Sequence, residues 1–206
     1  MTFLSEDSVK HRTILIFLLP VALWVFIYFF VKNWNRTDFV FSSHLDLAND
    51  ELFFKDGVYE KAFYDKNGGA FIYQGRPEWF RSYKKMDTFD GDKKKGIFLV
   101  PIKDAVRKLT FHSLPSGDHI ILLFGYSDGI NNNLLASGTT LKVFLGTDPL
   151  LERKIRPLPG YYSVHVPLDQ RKESMQDQLS PVIFEISLDG QNQDWTHFYV
   201  DGYIQS

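Results

Sequence analysis

The chain contains no cysteine. That removes disulfides, thiolate nucleophiles and cysteine-ligated zinc together. It also fits a bacterial exported protein better than a domain matured in a disulfide-forming secretory route. A surplus of charge is missing too, since 23 Lys and Arg stand against 25 Asp and Glu for a net charge of -2. Nucleic acid selects for a strongly basic face, so none is expected as a partner. The sequence lacks a nucleophile elbow, a phosphate-binding glycine loop, a dinucleotide fingerprint and a paired-histidine zinc motif. It also offers no acid pair at a spacing suited to glycoside hydrolysis. The expectation is a protein that is not an enzyme. Its six histidines are scattered, and a metal site needs ligands that converge. Asp87-Thr88-Phe89-Asp90-Gly91-Asp92 does not alternate its acids as a hand-type calcium loop requires. There is no internal repeat and no low-complexity tract.

What the chain has instead is one long apolar run, Ile14 to Val31, uncharged until Lys32. As a helix it reaches about 27 Å, close to the hydrocarbon thickness of a bilayer. A cleaved signal peptide would be shorter and end in small residues, whereas Phe29, Phe30, Val31 and Lys32 follow here. A core helix would carry a polar face, and this run has none. The reading is an uncleaved anchor spanning residues 13–32, after a tail of residues 1–12. Lys10 and Arg12 before the span balance Lys32 and Arg36 after it, so the positive-inside rule is silent. The usual arrangement for a short tail and one early span keeps the tail inside. This predicts a single-pass protein of a bacterial inner membrane with its C-terminal domain in the periplasm. Asn35-Arg36-Thr37 matches a glycosylation acceptor, but it lies too near the bilayer to be modified. Pro20 within the span suits packing against neighbouring transmembrane helices. The expected partners are therefore the lipid bilayer and other subunits of a membrane complex.

Residues 33–57 read as a juxtamembrane stalk or docking segment, with Trp34 at the headgroup layer. Residues 58–206 have the texture of an all-β domain: short alternating runs broken by Gly, Pro and Asp-Gly pairs. Val58–Tyr64 and Ala70–Tyr73, joined through Asn67-Gly68-Gly69, predict a hairpin. Residues 74–96 mix aromatics with lysines, including Lys93-Lys94-Lys95, and read as a long surface loop. Beyond Gly96 the period-two pattern is clean. Leu109 and Phe111, then Leu122, Phe124 and Tyr126, then Leu141, Val143 and Leu145 each share a face. So do Tyr162, Val164 and Val166, then Val182, Phe184 and Ile186, and finally Phe198, Val200 and Gly202. Two sheets burying these faces against each other make a sandwich. Residues 169–179 are the one candidate for a short helix or long polar loop outside the anchor.

From Ile97 onward the chain resembles the jelly-roll sandwiches of the galactose-binding-domain-like and carbohydrate-binding-module group. Leu109-Thr110-Phe111, Leu114-Pro115-Ser116-Gly117-Asp118 and Ile120 to Asp128 are similar to that group's strand, turn and long strand. Leu141 to Gly146, Gly160 to Leu168 and Phe198 to Ile204 resemble its middle and closing strands. Where many members carry Trp after the glycine of the middle strand, this chain has Tyr161. The resemblance implies a jelly-roll β-sandwich, which here would follow the transmembrane α-helix read from the apolar run. It also makes Asp128 and Asp201 candidate ligands of a structural calcium, although Asp128-Gly129 and Asp201-Gly202 are equally ordinary turn chemistry. No other cofactor is implied.

Sugar binding needs exposed flat rings beside amide and guanidinium donors. The candidates are Trp79, Tyr126, Tyr161 and Trp195, with Asn131, Asn132, Asn133, Arg153 and Arg156 as polar partners. Many of these rings also suit a core. Two functions follow. The leading one is a non-catalytic accessory subunit whose sandwich makes protein contacts in an envelope complex. Its alternative is a membrane-tethered carbohydrate-binding module serving polysaccharide synthesis or export.

Overall fold

The computed structural model describes residue 24 and residues 39–112, 114–115, 117–132, 137–168, 178–190 and 197–205. Apart from Trp24, which is helical and exposed, the run Ile14 to Val31 lies outside them. No helix among the described residues is long and apolar enough to cross a membrane.

The first strands are β1 (Phe39–Val40), β2 (Ala48–Phe54), β3 (Tyr59–Lys61), β4 (Phe63–Asp65) and β5 (Ala70–Ile72). There follow β6 (Ser82–Phe89), β7 (Asp92–Leu99), β8 (Ala105–Phe111), β9 (Leu114–Pro115) and β10 (His119–Tyr126). The rest are β11 (Thr139–Leu145), β12 (Asp148–Ile155), β13 (Gly160–Pro167), β14 (Gln178–Leu179), β15 (Val182–Leu188) and β16 (Phe198–Gln205). The larger sheet runs β13-β10-β16-β7-β6-β5-β4, with β1 added beside β16. The second runs β12-β11-β15-β8-β2-β3, and β14 pairs with β9 apart from both. The fold is an all-β sandwich.

Its core is made by the alternating residues of both inner faces. Leu109 and Phe111 of β8, Phe184 and Ile186 of β15, and Leu141 and Val143 of β11 meet Leu122 and Phe124 of β10 and Phe198 and Val200 of β16. Each such side chain contributes about 1.5–3 kcal/mol by leaving water.

The sandwich begins earlier than the composition predicts. Residues 39–54 do not form a stalk: β2 pairs with β8 along its whole length, and β1 pairs with β16. Between them a 3₁₀ segment, Phe41–Leu47, drives Phe41 into the core. Its ring meets Phe111 at 4.8 Å and Phe184 at 5.4 Å between centroids. Gly202 makes room for it, because a Cβ there would stand 3.1 Å from the Phe41 ring. The turn formers around this segment conceal an apolar plug.

A second correction concerns residues 74–96. They include β6 and most of β7, paired in register from Tyr83↔Phe98 to Phe89↔Asp92. The Asp90-Gly91 tip has positive φ at both residues, 50° and 84°, as a tight hairpin turn demands. The charges misled because Lys84, Lys93 and Lys95 of this hairpin are exposed, while Phe89 beside its turn is buried. Of the hairpin expected from Val58–Tyr64 and Ala70–Tyr73, the part nearest the turn is present as β4 and β5. The segment before it, β3, instead joins β2 in the other sheet. Residues 169–177 lie outside the described residues.

One polar network sits inside the apolar core. Asp50 on β2 and Arg107 on β8 are both fully buried, with Arg107 Nε 3.3 Å from Asp50 Oδ1. Tyr73 donates its hydroxyl to Asp50 Oδ1 at 2.7 Å, and Ser82 donates to Oδ2 at 2.6 Å. Arg107 also donates to the carbonyl oxygens of Val100 and Phe80. Asp50 and Arg107 belong to one sheet and Ser82 to the other, so the network ties the two layers together.

Candidate functional site

The two sheets end on the same side in β12 and β13, consecutive edge strands joined through Arg156-Pro157-Leu158-Pro159. Two prolines stiffen this crossing and prevent it from pairing with either edge. Along β12 the inward positions are Leu151, Arg153 and Ile155. Leu151 packs against the core and Ile155 is buried, but Arg153 between them is exposed. It lies in register with Leu141, which is fully buried. A guanidinium therefore stands where an apolar residue would close the seam.

Across the seam, Val164 and Val166 of β13 pack against the core. Tyr162, next on the same face, is 46% exposed. Its ring stacks on Phe124 of β10, with centroids 5.7 Å apart and planes 23° from parallel. The result is a cleft of about 580 Å³ between the edge strands. Phe124, Ile155, Val164 and Leu158 make its apolar surface, Tyr162 is a braced aromatic plate, and Arg153, Lys154, Arg156 and Ser163 supply polar groups. Chemically the lining would suit a ligand with one apolar face and several oxygens.

A second cleft, of about 500 Å³, lies on the larger sheet between the tip of its β6–β7 hairpin and strands β10, β13 and β16. Tyr161, Tyr203 and Leu123 face Asp90, Asp92, Lys94 and Lys95 there. The Tyr161 ring is already engaged: Phe89 lies 4.9 Å away between centroids, and Lys94 Nζ lies 5.4 Å from its centre. Burial, and then the charge of Asp201, push its hydroxyl well above the ordinary phenol range. With its ring covered and its charges balanced in sign, this cleft offers a ligand less than the seam does.

Beside it, Asp87 is a hub. Burial alone would raise its carboxyl, but hydrogen bonds from the Tyr199 hydroxyl, Lys85 and the Thr88 N–H outweigh burial and hold it below the usual range. His197 packs edge-on against Phe98 at 5.0 Å. Burial, and then Lys85, lower its imidazole below the ordinary value despite Asp87. The folded state therefore favours neutral His197. Its contribution to stability is whole above the unfolded value near 6.5 and is lost as pH falls through the folded one. We expect the melting temperature to drop between pH 7.5 and 5.5, and His197→Gln to flatten part of that drop. Identical pH slopes in wild type and variant would refute this.

The sequence-stated candidates disperse. Arg156 lines the seam and Tyr161 the hairpin cleft. Trp79 is 46% exposed and leans on Phe80 at 4.4 Å. Tyr126 is fully buried and gives its hydroxyl to Thr139. Asn131 lies in the 3₁₀ turn Asp128–Asn132, and Trp195 falls outside the described residues. Asp128 accepts the N–H of Asp90 at 2.9 Å and of Gly91 at 3.2 Å, fastening the hairpin tip. Asp201 accepts the N–H of Ser42 at 2.8 Å and fastens the Phe41 segment. The two acids thus make separate backbone contacts, and no group of three His, Cys, Asp or Glu among the described residues could hold a metal. Tyr162, Phe124 and Leu158 were missed as site residues because alternation assigns the first two to the core. The signal that could have found them is the Arg-Pro-Leu-Pro-Gly-Tyr-Tyr stretch at residues 156–162, a stiff crossing between two edges.

No protein-family model and no curated protein sequence matches the chain. Solved structures similar to it include the CBM51-2 and INT domains of Clostridium perfringens ZmpB in complex with GlcNAc. There the TM-score is 0.43 and the identity 8%, over 60% of this chain and 25% of that one. CBM51 from the Clostridium perfringens GH95, in complex with methyl-galactose, gives 0.40 and 12% over 60% of this chain and 78% of that one. TmCBM61 in complex with β-1,4-galactotriose gives 0.29 and 11% over 55% and 68%. The chain spans about a quarter of the length of the first of these.

Proposed function

We propose that this chain is a non-catalytic carbohydrate-binding β-sandwich held at a membrane by the apolar run Ile14 to Val31, with the sandwich on the periplasmic side of a bacterial inner membrane. The observation that carries the binding half is Tyr162: a half-exposed ring, braced from behind by Phe124, in a cleft with guanidinium and hydroxyl donors at its rim. A pyranose presents C–H groups on one face and hydroxyls around its edge, which suits such a plate and rim. The volume of about 580 Å³ falls in the range of small-ligand sites and holds a short oligosaccharide. The cleft lining contains no carboxylate and no histidine, so it has no general acid for glycoside cleavage, and this supports binding without hydrolysis.

The test is a glycan array probed with the full chain in nanodiscs, followed by calorimetry on the best oligosaccharide. Tyr162→Ala should weaken binding about tenfold, the worth of one well-placed aromatic contact. Unchanged affinity in the variant would remove the seam as the site. An array without a hit would remove the reading itself.

A second reading, docking onto another protein of a membrane complex, is favoured by a different face. Tyr59, Phe53 and Val106 lie in one cross-strand row on β3, β2 and β8. They are 51%, 42% and 37% exposed. A monodisperse monomer after mild-detergent extraction, with nothing co-purifying, would count against it.

A further inference from the structure

The saccharide that the seam would take has its own chemistry, written in the charges of the rim. Arg153, Lys154 and Arg156 all line the cleft, and the lining contains no acid. Among the described residues none of the three takes part in a salt bridge. The neighbouring acid on β12, Glu152, pairs with Lys142 at 3.3 Å. Several other cations of this near-neutral chain meet carboxylates: Lys55 with Asp104, Arg76 with Glu60, Arg81 with Glu78, Lys108 with Glu185. The seam gathers three cations in a lining that holds no acid.

Placement sharpens this. Arg153 occupies an inward position between Leu151 and Ile155, in register with the buried Leu141, so its side chain leaves the backbone on the seam side of β12. Arg156 sits in the proline-flanked crossing, whose backbone is fixed further by the Leu158 N–H bonded to the Arg156 carbonyl at 2.8 Å. A planar guanidinium offers paired N–H groups that match a carboxylate. Between apolar walls such a contact is weakened less by salt than one on open surface.

We propose that the ligand of this cleft is an acidic saccharide, a uronate or sialate unit whose ring lies on Tyr162 and whose carboxylate is met by Arg153 and Arg156. This rests on the carbohydrate-binding reading above and specifies it. The two fail differently. The full chain in nanodiscs of neutral lipid is titrated with a panel of oligosaccharides, each uronate- or sialate-containing member beside its carboxyl-reduced neutral counterpart, and with sodium sulfate alone. The expected result is at least tenfold tighter binding of the acidic member of one pair. Arg153→Gln and Arg156→Gln should each erase most of that preference, weakening the acidic member of the pair far more than the neutral one. Tyr162→Ala should weaken both members equally. Circular dichroism of each variant confirms the fold, and Arg153→Lys, which keeps the charge but loses the fork, should retain only part of the preference. Equal affinity within every pair overturns the acidic assignment and leaves carbohydrate binding standing. Binding of none of the panel overturns both. Sulfate competing at the concentration of the saccharide shows a simple anion site and also overturns the proposal.

Discussion

Arg107→Met is expected to lower the free energy of unfolding by about 3–5 kcal/mol, the cost of stranding one member of a buried ion pair. Asp50 would keep the hydroxyls of Tyr73 and Ser82 but lose the only fully buried cation among the described residues. The carbonyl oxygens of Val100 and Phe80 would lose their donor in the same step. Methionine fills much of the volume, so the loss measures electrostatics and hydrogen bonding more than cavity. The pair as a whole is another matter, because replacing both members with apolar residues removes the charge along with its solvation penalty. Asp50→Leu combined with Arg107→Met should therefore recover part of the loss. Recovery stays incomplete, since Tyr73 and Ser82 are then left without their acceptor. Urea unfolding followed by tryptophan fluorescence checks both statements. A single-variant loss under about 1 kcal/mol would mean that water reaches this network.

Gly125→Ala should be nearly as damaging, by at least about 3 kcal/mol, at the top of the range for overpacking a closed site. A Cβ at residue 125 would collide with the carbonyl oxygen of Gly160, and it would stand 3.0 Å from that carbonyl carbon and 3.1 Å from the Tyr161 Cα. All three are backbone atoms, so no rotamer change relieves the clash. Only separation of β10 from β13 does, and β13 carries Tyr162. The same substitution should therefore abolish saccharide binding at temperatures where the rest of the sandwich is still folded. An alanine variant with wild-type melting and wild-type affinity would show that β13 is not held at this point.

Much of the layered architecture was legible because strand alternation is a local property. Phe111, Leu122, Val143, Phe184 and Val200 each announce their face by their neighbours, and all of them are buried. Three features were not legible, for three physical reasons. Asp50 and Arg107 both point inward, but each looks like a surface residue until its partner's strand is known. Phe41 is hidden among turn formers because one aromatic plug carries no period. Tyr162 obeys the inward alternation, yet it is half-exposed because β13 is an edge, and a strand's place in the sheet order is a long-range fact. The site is therefore read from the fold and only partly from the pattern. Arg153 and Arg156 could be named in advance as donors, but not the ring they surround.

The pairing of β1 with β16 sets how the domain bears force. Phe39 lies opposite Ile204 and Val40 opposite Tyr203, so β1 and β16 are held side by side. A pull applied at Phe39 would be met first by β16, and next by the Phe41 ring lodged against Gly202. β16 thus works as a clasp for β1. Removing Tyr203 and Ile204 would open that clasp.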